Sequence, residues 1–427
     1  MTGLAILISF LVLVMLGVPL GVSMGLPSVV YILSKGIPLS ILAQRMVNSI
    51  NSYPLLAVVL FIFVGNLMNT SRITDRLFNA VKLFVGSIRG GLAHVNVLGS
   101  LVFAGMSGAA LADVGGLGNV EIKAMKDQGY KLETALAITL ASATIGPIFP
   151  PSIPLIIYAT VAEVSGVKLL IAGIVPALLI TICLMIAIAL IAKRENFPKE
   201  KILLSRREKA KTLVLAFPAL IFPFLLTGGL LSGLFSPTEM SGMAVVYTII
   251  LGVGIYRELD FKSFWRMARE TVLSTANIMF IISVAAVFGW VLAVEQVPQQ
   301  MTAFLLGISS NRYVLLLIVN LLLLIVGMFM ESNAAILIFT PLIAPALLSV
   351  GVDPVHLGIV VVLNLMIGLL TPPVGMSLYM GSIVSGLPFE KVTRATLPWV
   401  IPLMVALLIV TFFPSISTWI PNLVFIH

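Results

Sequence analysis

Gly146-Pro147-Ile148-Phe149-Pro150-Pro151 and Gly368-Leu369-Leu370-Thr371-Pro372-Pro373 are one pattern written twice, 222 positions apart. The same offset pairs Gly105-Met106 with Gly327-Met328 and Gly129 with Gly351, with no gap between the landmarks. Each Gly-x-x-x-Pro-Pro interrupts a long apolar run. Proline lacks the N–H a helix needs and clashes with the preceding turn, so the helix breaks there. Two matching breaks at membrane depth, one per half, are the mark of a transporter whose binding site lies between them.

Composition sets the solvent. Of 427 residues, 59% are hydrophobic and 10% charged, and the mean hydropathy is +1.15. Soluble domains carry about 25% charged residues. In lipid every backbone polar group must be paired internally, and the apolar runs have helical spacing, so an all-α membrane protein is expected. The net charge of +8 does not point to nucleic acid, because the basic residues sit in loops between apolar runs. The single Cys183 excludes an internal disulfide and is expected to be a packing residue. The opening run from Leu4 to Leu20 has no basic leader or cleavage site and is expected to be a retained span.

Charge then orients the spans. Lys193 to Lys211 holds eight Lys/Arg against three Glu and separates the halves, so it is expected on the cytoplasmic side. Arg72, Arg76, Lys82, Arg89, Lys123, Lys126 and Lys131 then also face the cytoplasm. The second half reverses the bias: residues 295–312 and 350–356 are poor in positive charge, whereas Arg257, Lys262, Arg266 and Arg269 exceed their counterparts Lys35 and Arg45. This is the behaviour of an inverted repeat, spanning residues 1–192 and 212–427 about a linker at 193–211, with both termini periplasmic.

Both ends of residues 92–125 carry cytoplasmic charge, so this segment is expected to enter and leave on one side. Limbs of about 15 residues reach roughly 22 Å, past the middle of a core of about 30 Å without crossing it. Residues 313–348 are the partner from the other face, and a local shift of three also aligns Ser107-Gly108-Ala109-Ala110 with Ser332-Asn333-Ala334-Ala335. Two re-entrant hairpins should therefore bring their tips to the two broken helices, at 134–163 and 355–385. Broken helices expose carbonyls and negative C-termini suited to Na⁺, and positive N-termini suited to an anion. The candidate sodium ligands are Gly105, Ser107, Gly146 and Phe149, mostly through backbone oxygens, with Gly327, Gly368, Thr371, Ser332 and Asn333 in the second half. Substrate is expected near Ser107, Gly108, Pro150, Ser152, Ser332, Asn333 and Pro372. No other cofactor is expected.

Of the intramembrane acids, Asp113 suits a helix cap, while Glu331 is open between attracting a cation and a structural role. His94 and His356 lack metal-ligand company and are expected to be structural. Residues 69–89 and 257–270 mix basic and apolar positions at helical spacing, as interfacial arms do. A serine hydrolase is excluded: Gly105-Met106-Ser107-Gly108 has the right residue types, but His94 stands about three turns from Ser107. No ring of charge suggests a channel.

The doubled Gly-x-x-x-Pro-Pro, the Gly105–Val114 hairpin sequence Gly-Met-Ser-Gly-Ala-Ala-Leu-Ala-Asp-Val and the Met330–Ala335 sequence Met-Glu-Ser-Asn-Ala-Ala closely resemble the large membrane subunit of tripartite ATP-independent periplasmic (TRAP) transporters, over essentially the whole chain. The resemblance implies Na⁺-driven uptake of an organic acid such as sialic acid or a C4-dicarboxylate, across a bacterial inner membrane. It implies delivery by a soluble periplasmic binding protein and an elevator motion of a transport core against a scaffold. It also implies a small four-helix membrane subunit, expected here as a separate chain. A stand-alone Na⁺- or H⁺-coupled carrier of the same architecture is the alternative.

Overall fold

A computed structural model describes residues 3–425 apart from 72, 109, 111–113, 115–116 and 200–204, with the side chains of Met106 and Ser107 also outside the described set. Asp113 and Arg72 therefore lie outside the described residues. The first half runs α1 (Gly3–Met15), α2 (Leu20–Ser34), α3 (Ser40–Ile50), α4 (Tyr53–Thr70), α5 (Ile73–Val85), α6 (Gly91–Ser107), α7 (Leu117–Asp127), α8 (Leu132–Ser142), α9 (Ile153–Val161), α10 (Gly166–Ala172) and α11 (Ile174–Arg194). The second runs α12 (Arg206–Leu231), α13 (Pro237–Ile249), α14 (Phe261–Val294), α15 (Val297–Ile308), α16 (Arg312–Phe329), α17 (Ser332–Ser349), α18 (Pro354–Gly368), α19 (Met376–Ser385), α20 (Phe389–Phe412) and α21 (Ser415–Val424). Among the described residues eight helical segments are long and apolar enough to cross a membrane, and the chain is a multi-pass membrane protein.

The repeat is visible in the backbone. Gly129 and Gly351 both adopt positive φ, +91° and +81°, at matching turns ahead of α8 and α18. Helix α6 with α8 and helix α16 with α18 make equivalent packings, and α2 lies on α14 as α13 lies on α4. Each half thus lends one helix to the other's arm. Residues 135–142 of α8 and 355–368 of α18 are all buried, so these helices form the centre of the core and have no exposed face over these stretches. Side-chain caps set many starts: Ser205 and Glu208 form a capping box at α12, Ser236 and Glu239 another at α13, and Asp260, Asn311 and Asp353 cap α14, α16 and α18.

Two expectations change. The shift of three between the hairpin tips is not structural, because Ser107 closes α6 whereas Ser332 opens α17; the ungapped register pairs Ser107 with Phe329, each the last residue of its incoming limb. The arms also differ from each other. Residues 257–270 are not a separate interfacial segment: most of them form the first turns of α14, a continuous helix of 34 residues, about 51 Å long at 1.5 Å per residue. In the first half the same stretch is split into α3 and α4 at Asn51-Ser52, with Pro54 in the first turn of α4. The repeat position of Pro54 is Ala276, so nothing interrupts α14 there.

Paired braces hold the arms. Tyr31 donates its hydroxyl to Glu295 at 2.7 Å, and Lys35 reaches the same carboxylate at 3.2 Å, tying the end of α2 to the start of α15. In the other half Arg76 on α5 pairs with Glu258 at 2.5 Å and lies 4.2 Å from the Tyr256 ring centroid, beyond the end of α13.

Candidate functional site

In each half the end of the incoming hairpin limb is bonded to the break in the following helix. The Ile153 N–H donates to the Gly108 carbonyl at 3.3 Å, and the Gly375 N–H donates to the Met328 carbonyl at 2.9 Å. The two donors are themselves 222 positions apart. Gly108 has φ +61°, and a Cβ there would stand 2.3 Å from the Pro151 carbonyl oxygen. Only glycine lets the tip approach so closely in a left-handed conformation. In the second half Gly327 and Gly368 meet backbone to backbone, and in the first Gly105 packs beside the Phe149 ring and Pro223.

The candidate ligands therefore fall into two groups, one per half: Gly105, Ser107, Gly146 and Phe149 around the first break, and Gly327, Gly368 and Thr371 around the second. The Thr371 hydroxyl donates to the Ile367 carbonyl at 2.9 Å, leaving its oxygen lone pairs for another partner. Ser152 is buried, its hydroxyl donating to the Pro147 carbonyl and accepting from Leu155 N–H at 3.1 Å as the cap of α9. Both of its roles are taken up inside the break. The Pro150–Pro151 and Pro372–Pro373 bonds are both cis.

A cavity of about 390 Å³ lies beside the second tip, within the size range of small-molecule sites. One wall is Glu331, Ser332 and Asn333 of the tip, with Pro147 and Leu369 of the two breaks; the opposite wall is Asn66 of α4 with Ser274 and Asn277 of α14. The cavity is thus a seam between arms and core. Glu331 caps α17, accepting from Ala334 N–H at 3.2 Å and from the Ser332 hydroxyl at 3.1 Å. Asn333 Oδ1 is buried and has no hydrogen-bond partner among the described residues, an orphaned acceptor suited to a cation or a donor group. Of the expected substrate residues, Ser332 and Asn333 line this cavity, and Gly108, Pro150, Ser152 and Pro372 are not among its lining residues.

Sequence reasoning missed the arm residues Asn66, Ser274 and Asn277. Their signal was present: Ser274 and Asn277 are three apart, on one face, inside an apolar helix. It also missed two buried polar nodes that join hairpin to broken helix. Asn96 donates to Glu121 and to Thr139, each at 2.7 Å, and accepts from Ser142 at 2.6 Å. At the repeat position of Ser142 stands Asn364, which donates to Asn320 at 2.9 Å, while Asn320 donates to Thr411 at 2.9 Å. Glu121, only 1% exposed, stands two residues before Lys123 and five before Lys126, in a stretch that reads as a solvated end. His356 is buried against the Ser417 hydroxyl at 2.8 Å, a structural contact.

Comparison with known proteins gives a consistent family. The model of the family described as "Tripartite ATP-independent periplasmic transporter, DctM component" matches residues 7–416. The chain is 44% identical to the sialic acid TRAP transporter large permease protein SiaM of Vibrio cholerae over 95% of each chain. It is 39% identical to the sialic acid TRAP transporter permease protein SiaT of Haemophilus influenzae, over 98% of this chain and 68% of that one. It is 38% identical to the C4-dicarboxylate TRAP transporter large permease protein DctM of Pseudomonas aeruginosa over 89% of each. Among solved structures, the YdaH transporter of Alcanivorax borkumensis shares the fold, with a TM-score of 0.58 at 16% identity over 88% of each chain.

Proposed function

The chain belongs to the DctM family of tripartite ATP-independent periplasmic transporters, and from that premise we propose that it imports an organic acid, of the sialic acid or C4-dicarboxylate type, driven by Na⁺. A soluble periplasmic protein delivers the substrate, and a separate small membrane subunit completes the scaffold. The observation that carries this reading is the cavity between the second hairpin tip and the arms, lined by Ser332 and Asn333 and backed by Leu369 of the second break. Sodium, held by carbonyls around Gly105, Ser107, Gly146 and Phe149 and around Gly327, Gly368 and Thr371, would draw each tip onto its break. That closes a loaded core whose polar backbone is paired, the condition for moving through a low-dielectric environment. The core slides as an elevator past arms held by the Tyr31–Glu295–Lys35 and Arg76–Glu258 braces.

The cavity lies at the end of the bundle that holds Arg76 and the basic first turns of α14. The charge rule assigns that end to the cytoplasm, and on this reading the cavity opens inward. The test is uptake of radiolabelled sialic acid and C4-dicarboxylates into vesicles containing the chain and its small subunit. Uptake is expected to need both the binding protein and an inward Na⁺ gradient. Uptake without the soluble protein would replace this reading with a stand-alone carrier, and indifference to Na⁺ would remove the coupling.

A further inference from the structure

The two arms face the core with different chemistry. Asn66, Ser274 and Asn277 present amide and hydroxyl groups to the cavity, and Ser274 and Asn277 are exposed there in the middle of an apolar helix. Polar side chains among apolar ones on a membrane helix are costly unless they face water or a ligand. The 222-residue relation gives their counterparts in the other half: Phe288 for Asn66, Ser52 for Ser274 and Leu55 for Asn277. Phe288 is buried against Phe10, with ring centroids 5.2 Å apart, and Leu55 is 2% exposed. Of the three counterparts only Ser52 is polar, so the repeat does not reproduce the two amides of this wall in the other half. Asn66 has a second duty, donating to Thr271 at 3.0 Å and so joining α4 to α14.

Resting on the transport reading above, we infer that Ser274 and Asn277, with Asn66 beside them, are specificity-determining scaffold residues that hydrogen-bond the uncharged hydroxyl or amide groups of the substrate in one access state alone. The three carry no formal charge and offer only amide and hydroxyl groups, so this wall suits the neutral part of an organic anion. When the core moves, the tip residues travel with the substrate and the arm residues stay behind. Substrate then loses these bonds, and the arm positions equivalent by the repeat offer mostly hydrocarbon. The scaffold thereby makes affinity differ between the two faces of the membrane.

The experiment uses the full complex in vesicles, with the binding protein outside to define the periplasmic face, and radiolabelled sialic acid as probe. Two quantities are measured: the external concentration of loaded binding protein at half-maximal uptake, and the lumenal concentration of unlabelled sialic acid that halves uptake. Asn277→Leu and Ser274→Ala are each expected to raise the lumenal value about three- to tenfold, the factor for a lost hydrogen bond. The external value should move less than about twofold. Ser274→Ala is a small change at an exposed position and keeps the test valid if the leucine variant is poorly folded. No change in the lumenal value, an equal change on both sides, or a change confined to the outside would overturn the inference. Absence of wild-type uptake would instead strike the transport reading itself, and the inference would fall with it.

Discussion

Gly327 and Gly368 lie backbone against backbone, so that a Cβ on Gly368 would stand 2.6 Å from the Gly327 Cα. Gly327 lies in the last turn of the incoming limb of a hairpin, and Gly368 ends a helix just before its break. Their contact is how the second tip reaches the second break, with the Gly375 N–H to Met328 carbonyl bond locking it.

Gly368→Ala is expected to force these backbones apart, at a cost of about 1–3 kcal/mol for overpacking. Thermal unfolding of the purified protein should show the loss. Gly307→Ala, where nothing lies within 4 Å of the added carbon, should leave the melting temperature unchanged or slightly raised.

Gly108→Ala combines two penalties: a positive φ, and a Cβ 2.3 Å from the Pro151 oxygen. The left-handed conformation alone costs about 1–2 kcal/mol. Substrate uptake is expected to fall at least tenfold, measured at matched protein levels in the membrane.

Thr371 tests the ion reading. Thr371→Val removes an oxygen and should raise the Na⁺ concentration for half-maximal uptake, whereas Thr371→Ser should restore it. Equal behaviour of the two variants would argue against a hydroxyl ligand.

Ser152→Ala should act on stability. The hydroxyl caps α9 and satisfies the Pro147 carbonyl, and loss of such a cap costs about 1 kcal/mol. A lower melting temperature with little change in external half-saturation is expected.

The Glu295 carboxyl is held below its ordinary value of 4.5 by the Tyr31 hydroxyl first and then by Lys35. A depressed carboxylate contributes stability above the ordinary value and loses it as pH falls through the lowered one. Glu295→Gln should therefore melt at a lower temperature than wild type at pH 7. The difference should close below pH 4.5, as followed by melting curves across pH.

The hairpin limbs and helix breaks were legible because they are local. α16 and α17 begin and end within a residue of the expected 313–348, and α18 to α19 within a residue of 355–385. The arms were less legible: whether 257–270 stands alone or continues into α14 turns on Ala276 occupying the position of Pro54, and on α14 being packed against α2, α3 and α4. Ser152 is expected near the substrate from its place beside the two prolines of the break; that its hydroxyl caps α9 and bonds the Pro147 carbonyl is a detail of the folded break.

By itself, the sequence determined the membrane environment, the inverted repeat and the place of each helix break. Hydropathy, loop charge and the Gly and Pro positions act on the chain locally and survive in any packing. Only the tertiary structure decided which polar groups meet. Asn66, Ser274 and Asn277 face the tip of a hairpin from helices remote in sequence, and Glu121 is buried beside Asn96 although Lys123 and Lys126 follow closely on the same helix. Burial and partnership depend on the angle at which whole helices pack, and that angle is set by hundreds of apolar contacts spread over both halves, none of which a local pattern specifies.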